Sequence, residues 1–135
     1  MKKLISFIIS ILIYCNFSYA YDFNWSNKMM NPTKTAEFYI DKKSVIKIDN
    51  YIYYWSLGNI LKTLEDAPDL KSSISLNKLD CNDMGYQTII FIAFTGNMGT
   101  GEIIFHDSEN PDKEEDKRFD GKSSVAYKTH DNLCN

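Results

Sequence analysis

The chain has 135 residues and a formal net charge of -3, with 24% charged and 44% hydrophobic residues. That length fits one domain and leaves no room for a second core of useful size. The balance is globular, which excludes wholesale disorder. Lys+Arg 15 against Asp+Glu 18 lacks the basic excess that a general nucleic-acid binder of this size would carry.

The chain starts with the three parts of a secretory signal peptide. Lys2 and Lys3 form a charged start, Leu4 to Ile13 is apolar apart from Ser6 and Ser10, and Ser18-Tyr19-Ala20 offers small residues to a signal peptidase. Residues 1–20 are therefore expected to be cleaved after Ala20, leaving 21–135 as the working domain. The apolar stretch is shorter than the ~20 residues a bilayer span needs, which argues against an uncleaved anchor. Cys15 raises the alternative of a lipoprotein, but bulky Tyr14 stands where lipidation wants a small residue, so no lipid anchor is expected.

Removal of residues 1–20 takes Lys2, Lys3 and Cys15 with it. The remaining 115 residues carry a charge of -5 and two cysteines, Cys81 and Cys134. An even pair in an exported chain reads as one disulfide. The rival readings, free thiols or a metal pair, lack a C-x-x-C spacing, and His106 and His130 lie far apart in sequence.

Along the mature chain, Phe23 and Trp25 alternate in a short first strand that turns polar at Asn31-Pro32. Ala36, Phe38 and Ile40 mark one face of a second strand, and Ile46 and Ile48 resume the period of two after Lys42-Lys43-Ser44. Asp49-Asn50 fits a tight hairpin. It leads into an aromatic strand with Tyr51, Tyr53, Trp55 and Leu57 on one face and Ile52, Tyr54 and Ser56 on the other. The first of these stripes is expected to be core.

Residues 58–72 suggest a loop with a short helix that Pro68 stops. Ile74 and Leu76 are out of phase with Leu79 and Cys81, and a bulge near Asn77-Lys78 would put all four on one face. The run Ile89 to Phe94 is apolar on both faces and predicts a central strand covered on both sides. Gly96, Gly99 and Gly101 make a turn, and Glu102 to Phe105 is the returning strand. Residues 107–122 are polar surface loop. Ser123-Ser124 can cap a final helix through Leu133, although Val125, Tyr127 and Thr129 also alternate as a strand would. The sum is α+β, mainly β: an antiparallel sheet of about six strands with one or two helices.

Catalytic signals are absent. No Ser sits in a G-x-S-x-G elbow, and paired cysteines leave no thiol nucleophile. Gly96-Asn97-Met98-Gly99-Thr100-Gly101 lacks the glycine order and the lysine of a phosphate loop. The acidic run Asp107, Glu109, Asp112, Glu114, Glu115, Asp116 lacks calcium-loop spacing and reads as a solvated loop. No enzyme, metal or cofactor is expected.

Phe38-Tyr39-Ile40-Asp41-Lys42-Lys43-Ser44-Val45 followed by Tyr53-Tyr54-Trp55 resembles the surface-adhesin protein E-like family of Gram-negative bacteria. Further marks follow in order: Lys71-Ser72-Ser73 before a strand ending in Asp80-Cys81, then Met98-Gly99 with Gly101, then Cys134. The similarity runs from about Trp25 to Cys134. It implies an exported antiparallel sheet with a C-terminal helix pinned by a Cys81–Cys134 bridge, and a protein ligand from host extracellular matrix or serum. The working expectation is thus a binding module at the periplasm or outer-membrane surface, without a transmembrane segment in the mature chain. Exposed aromatics beside Lys42, Lys43 and Lys47 would suit protein recognition. Two alternatives are a periplasmic inhibitor of a lysozyme-like enzyme and a structural periplasmic protein with no dedicated ligand.

Overall fold

The structure, a computed structural model, describes residues 22–110, 117–118 and 124–135. The expected signal peptide and the acids at 112–116 lie outside them. The elements, in chain order, are β1 (Trp25–Met30), β2 (Ala36–Asp41), a 3-10 turn (Lys42–Ser44), β3 (Ile46–Ile48), β4 (Tyr51–Ile60), β5 (Ser72–Asp80), β6 (Gly85–Phe94), a 3-10 turn (Asn97–Gly99), β7 (Ile103–Ser108), β8 (Lys117–Arg118) and α1 (Val125–Cys134). All strands join one antiparallel sheet in the order β1-β2-β4-β5-β6-β7, with β3 added to β4 and β8 to β6. The sheet has eight strands, against an expected six or so: β3 matches the strand expected at Ile46 and Ile48, whereas β8 and the end of β7 fall within residues 107–122, which were expected to be loop.

Both short strands continue a longer neighbour after an interruption. The six-residue step from Ile40 to Ile46 faces only the three-residue step from Ser56 to Tyr53. The surplus is taken up by the 3-10 turn. Buried Asp41 caps it by accepting from the Lys43 N–H at 3.2 Å and also accepts from the Asn24 N–H at 3.0 Å. Ser44 then substitutes for the missing ladder: its Oγ donates to the Asp41 carbonyl at 2.7 Å and accepts from the Trp55 N–H at 2.9 Å. In the same way, the nine-residue step from Ser108 to Lys117 faces the four-residue step from Ile90 to Tyr86.

Register assigns every strand residue to one of two faces. Ile40, Ile52, Tyr54 and Leu79 share the face that α1 covers, where Met29, Val45, Tyr86 and Leu133 complete the core. Ser124 starts the helix, its Oγ accepting from the Tyr127 N–H at 3.1 Å. Cys134 ends the helix in a disulfide to Cys81, with Cα atoms 5.5 Å apart. The final segment is therefore helix, and the bridge joins the end of α1 to the turn after β5.

Four local expectations change. The β4–β5 ladder runs unbroken from Tyr51↔Asp80 to Asn59↔Ser72, so β5 has no bulge at Asn77-Lys78. Ile74 and Leu76 face one side and Leu79 the other, each serving a different layer. The surplus residue at that level is Ile89, on β6. Residues 61–71 hold no helix: β4 continues to Ile60, and the Ile60 and Leu61 amides donate to the Lys71 and Thr35 carbonyls. The stripe Tyr51, Tyr53, Trp55 is not core, since Ile52 and Tyr54 hold that place and only Leu57 of the stripe is buried. Finally, β6 lies between β5 and β7, but Ile90 and Ile92 are only half-buried on the face away from α1.

Candidate protein-binding face

The face opposite α1 carries exposed apolar side chains, among them Ile46, Ile48 and Tyr51. One end is closed by the glycine turn after β6. Ser72 Oγ donates to the Gly96 carbonyl at 2.5 Å and accepts from the Gly99 N–H at 2.8 Å, while the Met98 N–H donates to Asn59 Oδ1 at 3.0 Å. The turn is thereby folded down over Leu57 and Ile74. Gly99 has φ +73, and a Cβ there would sit 2.6 Å from Ile74 Cδ1, so both conformation and space call for glycine. These residues are positioned as a turn, as expected, and the buried Ser72 and Asn59 side chains are spent on holding it.

Beyond the turn the face opens. Phe23 stacks on Trp25 with ring centroids 4.6 Å apart and meets Trp55 edge-on at 5.8 Å. Next to this trio run Tyr53 and Tyr51, with the Lys78 ammonium 4.3 Å from the Tyr51 ring centre. Ile46 and Ile48 on β3 extend the patch and are 57% and 54% exposed. Half-buried Leu76, Ile90 and Ile92 line it toward β7. Among the described residues no helix lies on this side. Scattered exposed apolar residues are ordinary, but a contiguous set of aromatic and branched side chains next to a lysine suits protein contact.

Lys42 and Lys43 are exposed on the first 3-10 turn, and Lys43 Nζ lies 3.9 Å from Asp22. Lys47 is exposed at the edge on β3. Lys47 pairs with Ile52 and so belongs to the helix side, whereas Tyr51, Tyr53 and Trp55 share the open face with Lys78, which the sequence reading did not pick. The parts that sequence reading missed are Phe23 and Trp25, which come from outside β4 to cover Trp55; their alternation was the only available signal.

On the same face, near β1, Lys28 pairs with Glu37, and the Tyr39 hydroxyl donates to Glu37 Oε2 at 2.9 Å. The Lys28 hydrogen bond first and the Tyr39 bond second hold the Glu37 carboxyl below its ordinary range; the same bond raises the Lys28 ammonium. Partial burial, then the Glu37 bond, raises the Tyr39 phenol.

On the helix side, the part of the sheet not reached by the core forms a cleft of about 340 Å³, with Ser56, Ser75, Asn77 and Thr88 on its floor. Asn77 ties that floor together, donating to Ser56 Oγ at 2.8 Å and accepting from Thr88 Oγ1 at 3.1 Å. Burial raises the phenol of Tyr54 at the cleft's border, with Tyr86 adding to the effect. The two histidines are not brought together: His106 is on exposed β7, and His130 on α1 lies 3.3 Å from the Cys81 carbonyl. Among the described residues no group of three or more His, Cys, Asp or Glu is placed to hold a metal ion.

Residues 25–135 match surface-adhesin protein E. The chain belongs to the surface-adhesin protein E family. Two solved structures of protein E from Haemophilus influenzae share the fold. One, a second crystal form, is 15% identical with a TM-score of 0.50, covering 81% of this chain and 87% of that one. The other, from a non-typeable strain, is 16% identical with a TM-score of 0.50, covering 84% and 85%. No curated protein matches the sequence. Membership agrees with the resemblance carried by the Phe38–Val45 segment, and the disulfide is the Cys81–Cys134 pair. Among the described residues no helix is long and apolar enough to cross a membrane.

Proposed function

We propose that the chain is an exported, non-enzymatic binding module of the cell envelope that takes host extracellular-matrix or serum proteins on its open sheet face. The observation that carries this reading is the contiguous exposed patch of Ile46, Ile48 and Tyr51 beside the half-buried Tyr53 and Trp55. Such residues combine large contact area with few rotors to freeze, and Lys78 beside Tyr51 adds steering. Membership in an adhesin family supports the reading. Export follows from the signal-peptide pattern of residues 1–20, with Tyr21 as the first mature residue.

Purified 21–135, tested on a panel of immobilised matrix and serum proteins, should bind at least one with micromolar or tighter affinity. The double variant Ile46→Lys, Ile48→Lys should lose that binding while its stability stays within about 0.5 kcal/mol of wild type, as expected for exposed sites. Absence of binding across the panel, or equal binding by the variant, would refute the role of this face. Protease treatment of intact cells adds the location: protection of the protein inside cells would contradict display at the surface.

A further inference from the structure

Among the described residues, the sheet ends in an exposed edge strand. All six residues of β7, Ile103 to Ser108, are exposed, and β7 is last in the strand order. Alternate backbone N–H and C=O groups of an edge strand point away from the sheet and form a template for another strand. Natural edges are usually blunted by lysine, proline, bulges or shortness. β7 has no lysine and no proline. Its one irregularity, the pairing shift at Ile104, falls near its start and leaves Phe105 to Ser108 in regular register with Ala93 to Ile90. Ile103, Ile104 and Phe105 are 62%, 46% and 53% exposed. The opposite edge differs, because β1 is broken in register between Ser26 and Met29 and carries Lys28 there.

Beside this edge lies a side-chain pocket of about 320 Å³ lined by Thr88, Ile89, Phe91, Phe105, Asp107 and Glu109. Phe91 and Phe105 pack with centroids 6.1 Å apart and form its apolar wall. Positions 105, 107 and 109 alternate onto one face, so Phe105, Asp107 and Glu109 all project to the pocket side. Aromatic faces with two carboxylates are complementary to an ammonium or guanidinium on an aliphatic stem. Strand addition works in this manner: main-chain hydrogen bonds give affinity, and pockets for alternate side chains give specificity.

We propose that the outer edge of β7 is a strand-addition site for an extended cationic polypeptide segment, one of whose Lys or Arg side chains enters the Phe91/Phe105/Asp107/Glu109 pocket. A second copy of the chain is a poorer occupant. Self-pairing would bring Asp107 of each copy, and the acids flanking it, onto one seam between two bodies of charge -5 after loss of residues 1–20. The proposal goes beyond the binding reading above in using a different surface, and it rests on that reading only for the idea of a polypeptide partner.

The probe is a synthetic peptide of alternating valine and lysine, about ten residues long, compared with its valine–glutamate counterpart. Amide exchange of residues 103–108 in wild-type 21–135, followed by NMR, should slow by about tenfold or more for outward-facing amides at saturating lysine peptide. The exposed-site variants Asp107→Lys and Phe105→Ser should each weaken that binding by about tenfold. Because the exchange measurement uses the unaltered protein, it decides the matter even if a variant misfolds. Equal binding of the glutamate peptide, protection confined to other strands, or dimerisation through β7 without peptide would each overturn the proposal. Capture of a matrix protein without peptide protection at β7 would sink this inference alone. Protection at β7 without capture of any matrix protein would support it while refuting the open-face reading.

Discussion

Glu37 illustrates how a surface residue can be fixed by neighbours rather than by depth. Its carboxylate accepts from Lys28 and Tyr39, and both bonds favour the ionised form. A depressed carboxyl stabilises the fold above its unfolded-state value, 4.5, and that contribution is lost as pH falls through the folded value. For Lys28, raised above 10.5, the contribution is full below that value and is lost as pH rises through the folded one. The cluster should therefore be intact throughout the window between. A carbon-detected NMR titration should find the Glu37 midpoint below 4.5, and Lys28→Met should return it toward 4.5. A wild-type midpoint at or above 4.5 would show that the cluster does not hold in solution.

At the scale of elements, α1 depends on a covalent bond from its last residue, Cys134, to Cys81 outside the helix. Its apolar anchoring is concentrated near Leu133 and Cys134, while its start, around Val125, Ala126 and Thr129, borders the open cleft. A ten-residue helix is marginal alone. The disulfide closes a long loop, and the chain-entropy model assigns such closure roughly 4 kcal/mol. Cys134→Ser should thus cost about 2–5 kcal/mol in denaturant unfolding, and exchange protection in α1 should fall before that in β4 and β5. Unchanged protection of α1 would show that packing at Leu133 suffices.

The pairing of Cys81 with Cys134 was legible because cysteine arithmetic after signal removal leaves one choice. The strands were legible from their period of two, and the Asp49-Asn50 turn from its residue types, Asp49 taking φ +54. Which face is core was not legible on β4. Alternation separates Tyr51, Tyr53 and Trp55 from Ile52 and Tyr54, but it does not say which set the single helix will cover. The same ambiguity produced the bulge expected on β5. Periodicity there registered a change of phase, which the fold resolves by giving Leu79 to the core and Ile74 to the glycine turn.

For the whole molecule, the two faces of one sheet have separate supports. α1 and the disulfide serve the side of Ile40, Ile52, Tyr54 and Leu79. The glycine turn and the Phe23–Trp25–Trp55 packing serve the other. Binding on the open face should therefore survive loosening of α1. In a reducing buffer where the sheet remains folded by circular dichroism, affinity for a captured matrix protein should stay within about threefold of the oxidised value. A loss as large as that of the Ile46→Lys, Ile48→Lys variant would mean that the helix side takes part. The candidate sites themselves were only partly visible beforehand. The aromatic strand announced the open face, whereas the pocket by β7 draws on residues 88–91 and 105–109, which come together only through pairing across the hairpin.

The bridge also sets an order of events. If the chain is exported N-terminus first, as proposed above, Cys81 emerges as a thiol 53 residues ahead of its partner. β4 and β5 would be outside at the start of that interval and β6 would join them before Cys134, free to pair by neighbouring hairpins, with one core face still bare of its helix. In that order the sheet can reach its register without help from the crosslink, and oxidation would then act as a latch on an arrangement already chosen. An oxidising catalyst working on this chain would meet Cys81 early, as a mixed disulfide waiting on a half-covered sheet, and would be released only when Cys134 arrives.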